Sequence, residues 1–181
     1  MDVMNKENAV QIFKQELSLY SEYQRLIKQK KEYKQEQIES RVDVHAISFS
    51  DGGASSALTK DEKLAIYCVD TEEIDFAIVA LTEMINWINE TINRLEPTIR
   101  IYTIYHYMLR RSIDQIAEMA GIHPVICRTQ IPAALNSVLT EERIKKYNLA
   151  KSFLRGVVSE NQLERMKNGK VKYAYNHQPK R

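Results

Sequence analysis

The chain has 181 residues, with 26 Lys and Arg against 24 Asp and Glu, and only 5 Gly, 4 Pro and 2 Cys. That length allows one domain with appendages or two small ones; few Gly and Pro beside long runs of Lys, Glu, Gln, Leu and Ile favour an all-α protein, and two cysteines exclude a disulfide scaffold. No apolar run has the length of a membrane span or a signal-peptide core, so the expectation is a cytoplasmic protein with no membrane partner.

Residues 6 to 40 predict one amphipathic helix, in which Phe13, Leu17, Tyr20, Gln24 and Ile27 follow heptad spacing. The stripe is lost at Lys31 and Lys34, so the first half should pack and the second half stay wet, with the mixed charges of Lys28 to Gln37 as a solvated face. Small polar residues around Gly52 and Gly53 predict a flexible loop at 43–58; its GGASS string lacks the Lys-Ser/Thr ending of a phosphate cradle. Thr59 with Glu62 is a capping box that starts a helix at Lys60, and Asp70 with Glu73 repeats the signal, predicting a break near Val69. Beyond it Ile74, Ile78, Leu81, Ile85, Ile88, Ile92 and Leu95 alternate steps of four and three, which is the pattern of coiled-coil-like packing. This seam can pair with the N-terminal helix or a second protomer, and it is the candidate oligomerisation surface; Trp87, outside it, marks a second contact. Residues 1–96 thus form a helical packing and oligomerisation region.

Pro97 stops that helix, and Thr98 starts another that presents Ile101, Ile104, Tyr105 and Met108. Two short helices follow. Ser112 with Gln115 is a capping box, Gly121 supplies the positive φ at which the first helix ends, His123 is an N-cap, and Pro124 suits the first position of the second. Ile113, Ile116, Ala117, Ala120, Ile122, Cys127 and Ile131 have inward spacing on both sides of the turn, so 97–139 predict a helix-turn-helix domain. Pro132 removes a backbone donor in the second helix and predicts a kink. If the unit docks on duplex DNA, His123, Val125, Ile126, Arg128 and Thr129 are placed to meet base edges, and Arg110, Arg111 and Ser112 lie where phosphates pass.

Residues 140–181 are a basic C-terminal extension. A helix from Thr140 to Leu154 carries Arg143, Lys145, Lys146 and Lys151, Ser159 with Gln162 caps a further short one, and the end forms a short strand or tail. Lys145, Lys146, Lys170 and Lys172 join the phosphate-binding candidates. Charge is divided along the chain. From Asp43 to Glu96 stand 3 basic and 11 acidic residues, a net of −8, and from Thr140 to Arg181 stand 11 basic and 4 acidic, a net of +7. The division suits a chain that holds a polyanion on one face and a basic partner, or its own copy, on another.

Ile116-Ala117-Glu118, Gly121-Ile122, His123 and Cys127 resemble the C-terminal promoter-reading domain of sigma factors. The wider layout of residues 10 to 139, a charged helix, a Gly/Ser loop, a long helix and this reader, resembles phage late-gene transcriptional regulators of the ArpU and RinA type. The resemblance implies a phage- or prophage-encoded regulator with duplex DNA as ligand, and RNA polymerase and a second copy of the chain as further partners.

Catalysis has no footing: no phosphate loop, nucleophile elbow or zinc-binding pair of His with Glu is present. His123 and Cys127 are one turn apart, but His45, His106 and His177 supply no second pair, so neither metal nor cofactor is expected. The expected function is sequence-specific DNA binding by a transcriptional regulator. Two other classes fit the same residues, a DNA-packaging recognition subunit of the small-terminase type and a helical adaptor that binds RNA polymerase or another protein through a degenerate helix-turn-helix.

Overall fold

The computed structural model describes residues 3–47 and 60–157, with side chains for 3–39 and 71–156. Within these the chain is all-α. Six α-helices follow in order, α1 (Ala9–Ile47), α2 (Lys60–Ile92), α3 (Pro97–Thr103), α4 (Ile113–Ala120), α5 (Pro124–Val138) and α6 (Glu141–Val157), and α3 passes directly into a π-helical turn, Ile104–Met108. No described helix is long and apolar enough to cross a membrane.

α1 is launched by a reciprocal pair of asparagines. Asn8 N–H donates to Asn5 Oδ1 at 3.0 Å and Asn5 N–H donates to Asn8 Oδ1 at 2.7 Å, satisfying donors that have no partner within the helix. The helix runs to Ile47, beyond the end expected at 40 and into the stretch expected as loop. Residues 48–59, with Gly52, Gly53 and Thr59, lie outside the described residues. α2 is unbroken through Val69. Nothing there forbids a helix, because no Gly or Pro intervenes and continuing the i to i−4 ladder keeps the backbone bonds that a break would release.

α1, α2 and α6 form a three-helix bundle: α1 and α6 both pack on α2. Ile74, Leu81, Ile88, Ile92 and Leu95 are buried in this chain's own core, with Ile78 and Ile85 half-buried. The Ile/Leu seam is therefore core within one protomer, and its assignment to oligomerisation is corrected. Trp87 is buried too, with its ring 5.3 Å from Phe13 and 4.9 Å from Tyr147, and its Nε1–H donates to Arg143 O at 3.0 Å. It holds all three helices and is no outer contact surface. Gln24 is exposed, since α1 buries Phe13, Glu16, Leu17, Tyr23 and Leu26 on a stripe of 3.6-residue period and not on a strict heptad.

Two buried polar clusters fix α6. Glu16 accepts Tyr147 OH and Lys151 Nζ, each at 2.8 Å on Oε1, and Tyr23 OH at 2.5 Å on Oε2. Arg143 donates from Nη2 to Trp87 O at 2.9 Å and Thr91 Oγ1 at 2.7 Å, and from Nη1 to Glu90 Oε2 at 2.7 Å. Arg143 and Lys151, read from the sequence as part of a basic helix in a C-terminal extension, are thus interior groups, and residues 141–157 pack on the bundle.

Candidate nucleic-acid interface

Local chemistry sets the geometry of α4 and α5. At the start of α4, Gln115 N–H donates to Ser112 Oγ at 3.1 Å and Ser112 N–H donates to Gln115 Oε1 at 3.0 Å, so the capping box is complete. At its end Gly121 has φ +64°, and Ile122 N–H reaches back to Ala117 O at 3.0 Å. His123 then caps α5, its Nδ1 accepting from Val125 N–H at 3.3 Å, with Pro124 in the first turn. α5 continues through Pro132 to Val138. Its last carbonyls, Asn136 O and Leu139 O just beyond, accept from Lys6 Nζ at 3.1 and 3.0 Å, placing a cation at the negative end of the helix.

The inner face is the one the spacing predicts. Ile116, Ala117, Cys127 and Ile131 are buried, joined by Leu135 and Leu139, while Ile113, Ala120 and Ile122 are half-buried. These side chains are continuous with the bundle core, and α5 also packs on α3 and α1, so the unit is seated on a rigid support. Burial pushes the Cys127 thiol above its ordinary value, as suits a reduced core residue. No group of three or more His, Cys, Asp or Glu side chains that could hold a metal ion exists among the described residues.

The predicted base-reading residues are all outward. His123, Val125, Ile126, Arg128 and Thr129 are exposed; Val125, Ile126 and Thr129 lie across α5 from Cys127 and Ile131, and Arg128 stands at the edge of the face turned to α4. Besides His123, which caps α5, two of them are engaged locally. Thr129 Oγ1 lies 3.0 Å from Val125 O and donates back into its own helix, and Arg128 Nη2 pairs with Asp114 Oδ1 of α4 at 3.3 Å. Both partners of that ion pair are more than half exposed, so it contributes at most about 1 kcal/mol and leaves the guanidinium available to a ligand. Met119 of α4, 65% exposed, adds to Val125 at 52% and Ile126 at 38% an apolar element that the sequence pattern alone did not single out.

The phosphate candidates separate. Arg110 and Arg111 are exposed, and among the described residues no hydrogen bond or ion pair engages either guanidinium. Ser112 is spent on its cap. Lys145 is exposed on α6. Lys146 pairs with Glu142 at 3.3 Å and lines a cleft of about 530 Å³ between α2 and α6 with Glu83, Glu90, Leu149 and Phe153; it faces the bundle cleft and not α4 or α5. Lys170 and Lys172 lie outside the described residues.

No family model, curated protein or solved structure matches this chain.

Proposed function

We propose that this chain binds duplex DNA through α4 and α5 and acts as a transcriptional regulator, with the first turns of α5 in a major groove. The observation that carries the reading is the two-sided character of α5. One side is anchored in the core by Cys127, Ile131 and Leu135, and the other holds Val125, Ile126 and Thr129 out, with Arg128 exposed at its edge, directly after a glycine turn and a capped supporting helix. Val125 and Ile126 suit thymine methyl groups, Arg128 suits guanine O6 and N7, and His123 stands at the helix entrance. The phage or prophage origin and a contact with RNA polymerase rest on the sigma-like and ArpU/RinA-like motifs alone.

Selection of bound sequences from a random duplex library tests this. Enrichment of one motif supports a sequence-specific binder, and Arg128→Ala should then cost about 1–3 kcal/mol on the preferred site and little on random duplex. An equal loss on both would make Arg128 a phosphate contact and move specificity to Val125 and Ile126. A second reading is favoured by one observation: Met119, Val125 and Ile126 expose an apolar surface that also fits a protein partner. Failure to enrich any duplex, together with lost partner binding in Met119→Ser, would support an adaptor.

A further inference from the structure

Two helix ends in this molecule turn through the left-handed region. At Gly121, φ +64°, the sequence supplies the residue suited to that conformation. At Arg110, φ +55°, it does not, and this is the one non-glycine residue with positive φ among those described. A Cβ at such a φ crowds the following carbonyl, which is why Gly or Asn usually occupies this position.

The surrounding turn imposes the conformation. Leu109 N–H donates to Ile104 O at 3.0 Å, in the wide register of the π-helical turn, and Arg111 N–H donates to Tyr105 O at 2.8 Å. His106 donates its Nδ1–H to Arg111 O at 2.8 Å. The strain is not offset by the Arg110 side chain, which is exposed and makes no hydrogen bond or ion pair with the described residues. Other arginines in the molecule do internal work: Arg100 donates to the carbonyls of Asn93 and Leu95 at the end of α2, and Arg143 ties α6 to α2. No hydrogen bond or ion pair among the described residues ties the Arg110 side chain to its own turn or to a neighbouring helix, yet it occupies a position where glycine would be relaxed. Strained residues of this kind are kept where the side chain meets something outside the chain, and π-turns gather at the same places.

We propose that Arg110 is a phosphate-binding residue, aimed before docking by its left-handed turn at the sugar-phosphate backbone of duplex DNA seated on α5. This rests on the DNA-binding reading above. A guanidinium offers a planar fork of donors that matches two oxygens of one phosphodiester, and the left-handed turn fixes the direction in which the side chain leaves the backbone. Arg111, exposed beside it, adds a second positive charge ahead of the capped start of α4.

The test measures melting temperature and affinity for random-sequence duplex in wild type, Arg110→Gly, Arg110→Asn and Arg110→Lys. Gly and Asn accommodate the turn, so both variants should melt at or above wild type, by about 1–4 °C for Gly. Both should bind duplex about tenfold more weakly at about 50 mM salt, with the slope of log K against log salt shallower by about 0.9, the share of one phosphate. Arg110→Lys should keep the wild-type slope. Wild-type affinity and slope in Arg110→Gly would overturn the assignment to Arg110 and leave the DNA reading standing. No binding by wild type at that salt would overturn both. A marked drop in melting temperature in both Gly and Asn variants would mean that the side chain holds the turn, which overturns the argument from strain.

Discussion

The bundle of α1, α2 and α6 and the α4–α5 unit share one apolar core but are secured in different ways. In the bundle, long helices are tied by charged groups taken into the interior, Glu16 with Lys151 and Arg143 on α2. In α4 and α5, short helices are fixed at their ends by Ser112, Gln115, Gly121 and His123, and their outward side chains stay free of core packing. Long helices can slide in register, and a buried charge tolerates only one position; short helices need their ends defined, since each has few internal bonds. The difference separates a part built to hold from a part built to present.

The contrast is broken most severely at Ile88. It is fully buried between the bundle helices, so Ile88→Lys places an unpaired charge in the core and should cost more than about 4 kcal/mol, unfolding the chain in circular dichroism. A folded variant would put Ile88 at a surface. Next comes Glu16→Ala, which strands Lys151 and two tyrosine hydroxyls and should cost about 3–5 kcal/mol in urea unfolding. Joining it with Lys151→Met should recover much of that loss, because an apolar pair carries no desolvation penalty. A double variant as unstable as the single one would assign the loss to the tyrosine hydroxyls. The same bonds from Tyr23 and Tyr147 to Glu16 follow burial as causes of phenol ionisation well above the usual range.

These two regions also differ in how far the sequence discloses them. The helix ends of α4 and α5 are legible because capping is local: Ser112 and Gln115 are three residues apart, and a glycine or proline states its backbone preference by itself. The core face of the α4–α5 unit was legible for the same reason, through helical spacing at Ile116, Cys127 and Ile131. The bundle was half legible. Periodicity found the Ile/Leu seam, but pairing is a long-range property, and the seam fits α1 as readily as it would fit a second copy. Glu16, Arg143 and Lys151 gave no signal, because a charged residue resembles a solvated one until its partner, more than fifty residues away in the chain, is known. Arg110 as a left-handed residue was equally hidden, since its conformation is imposed by bonds to Tyr105 and Ile104 and not by its own preference.

A smaller effect tests the caps. Gly121→Ala meets no atom within 4 Å, so any loss comes from backbone conformation alone and should be about 1 kcal/mol by urea unfolding. Because α4 aims α5, duplex affinity should fall along with it. Unchanged stability would mean that the turn between the helices relaxes to another φ.

The smallest effect belongs to the rim of the bundle, at Glu90. The hydrogen bond from Arg143, and behind it the charges of Arg143 and Lys146, hold its carboxyl below the ordinary value of 4.5, while most of the side chain remains in water. A carboxylate whose folded-state value is lowered adds stability above its unfolded value and loses it as pH falls through the folded one. Wild type should therefore exceed Glu90→Gln in urea midpoint at about pH 7, and the gap should shrink as pH falls below the ordinary carboxylate value of 4.5 and through the lowered folded one. Trp87 O and Thr91 keep Arg143 in place throughout, so the protein stays folded while the gap closes. A gap that persists at low pH would mean that glutamine disturbs α2 for reasons unrelated to charge. If the two proteins instead match at neutral pH, the interior bonds of Arg143 and of the Glu16 cluster set the register of α6 without Glu90, and the bundle differs from the α4–α5 unit by buried ties with no help from its surface.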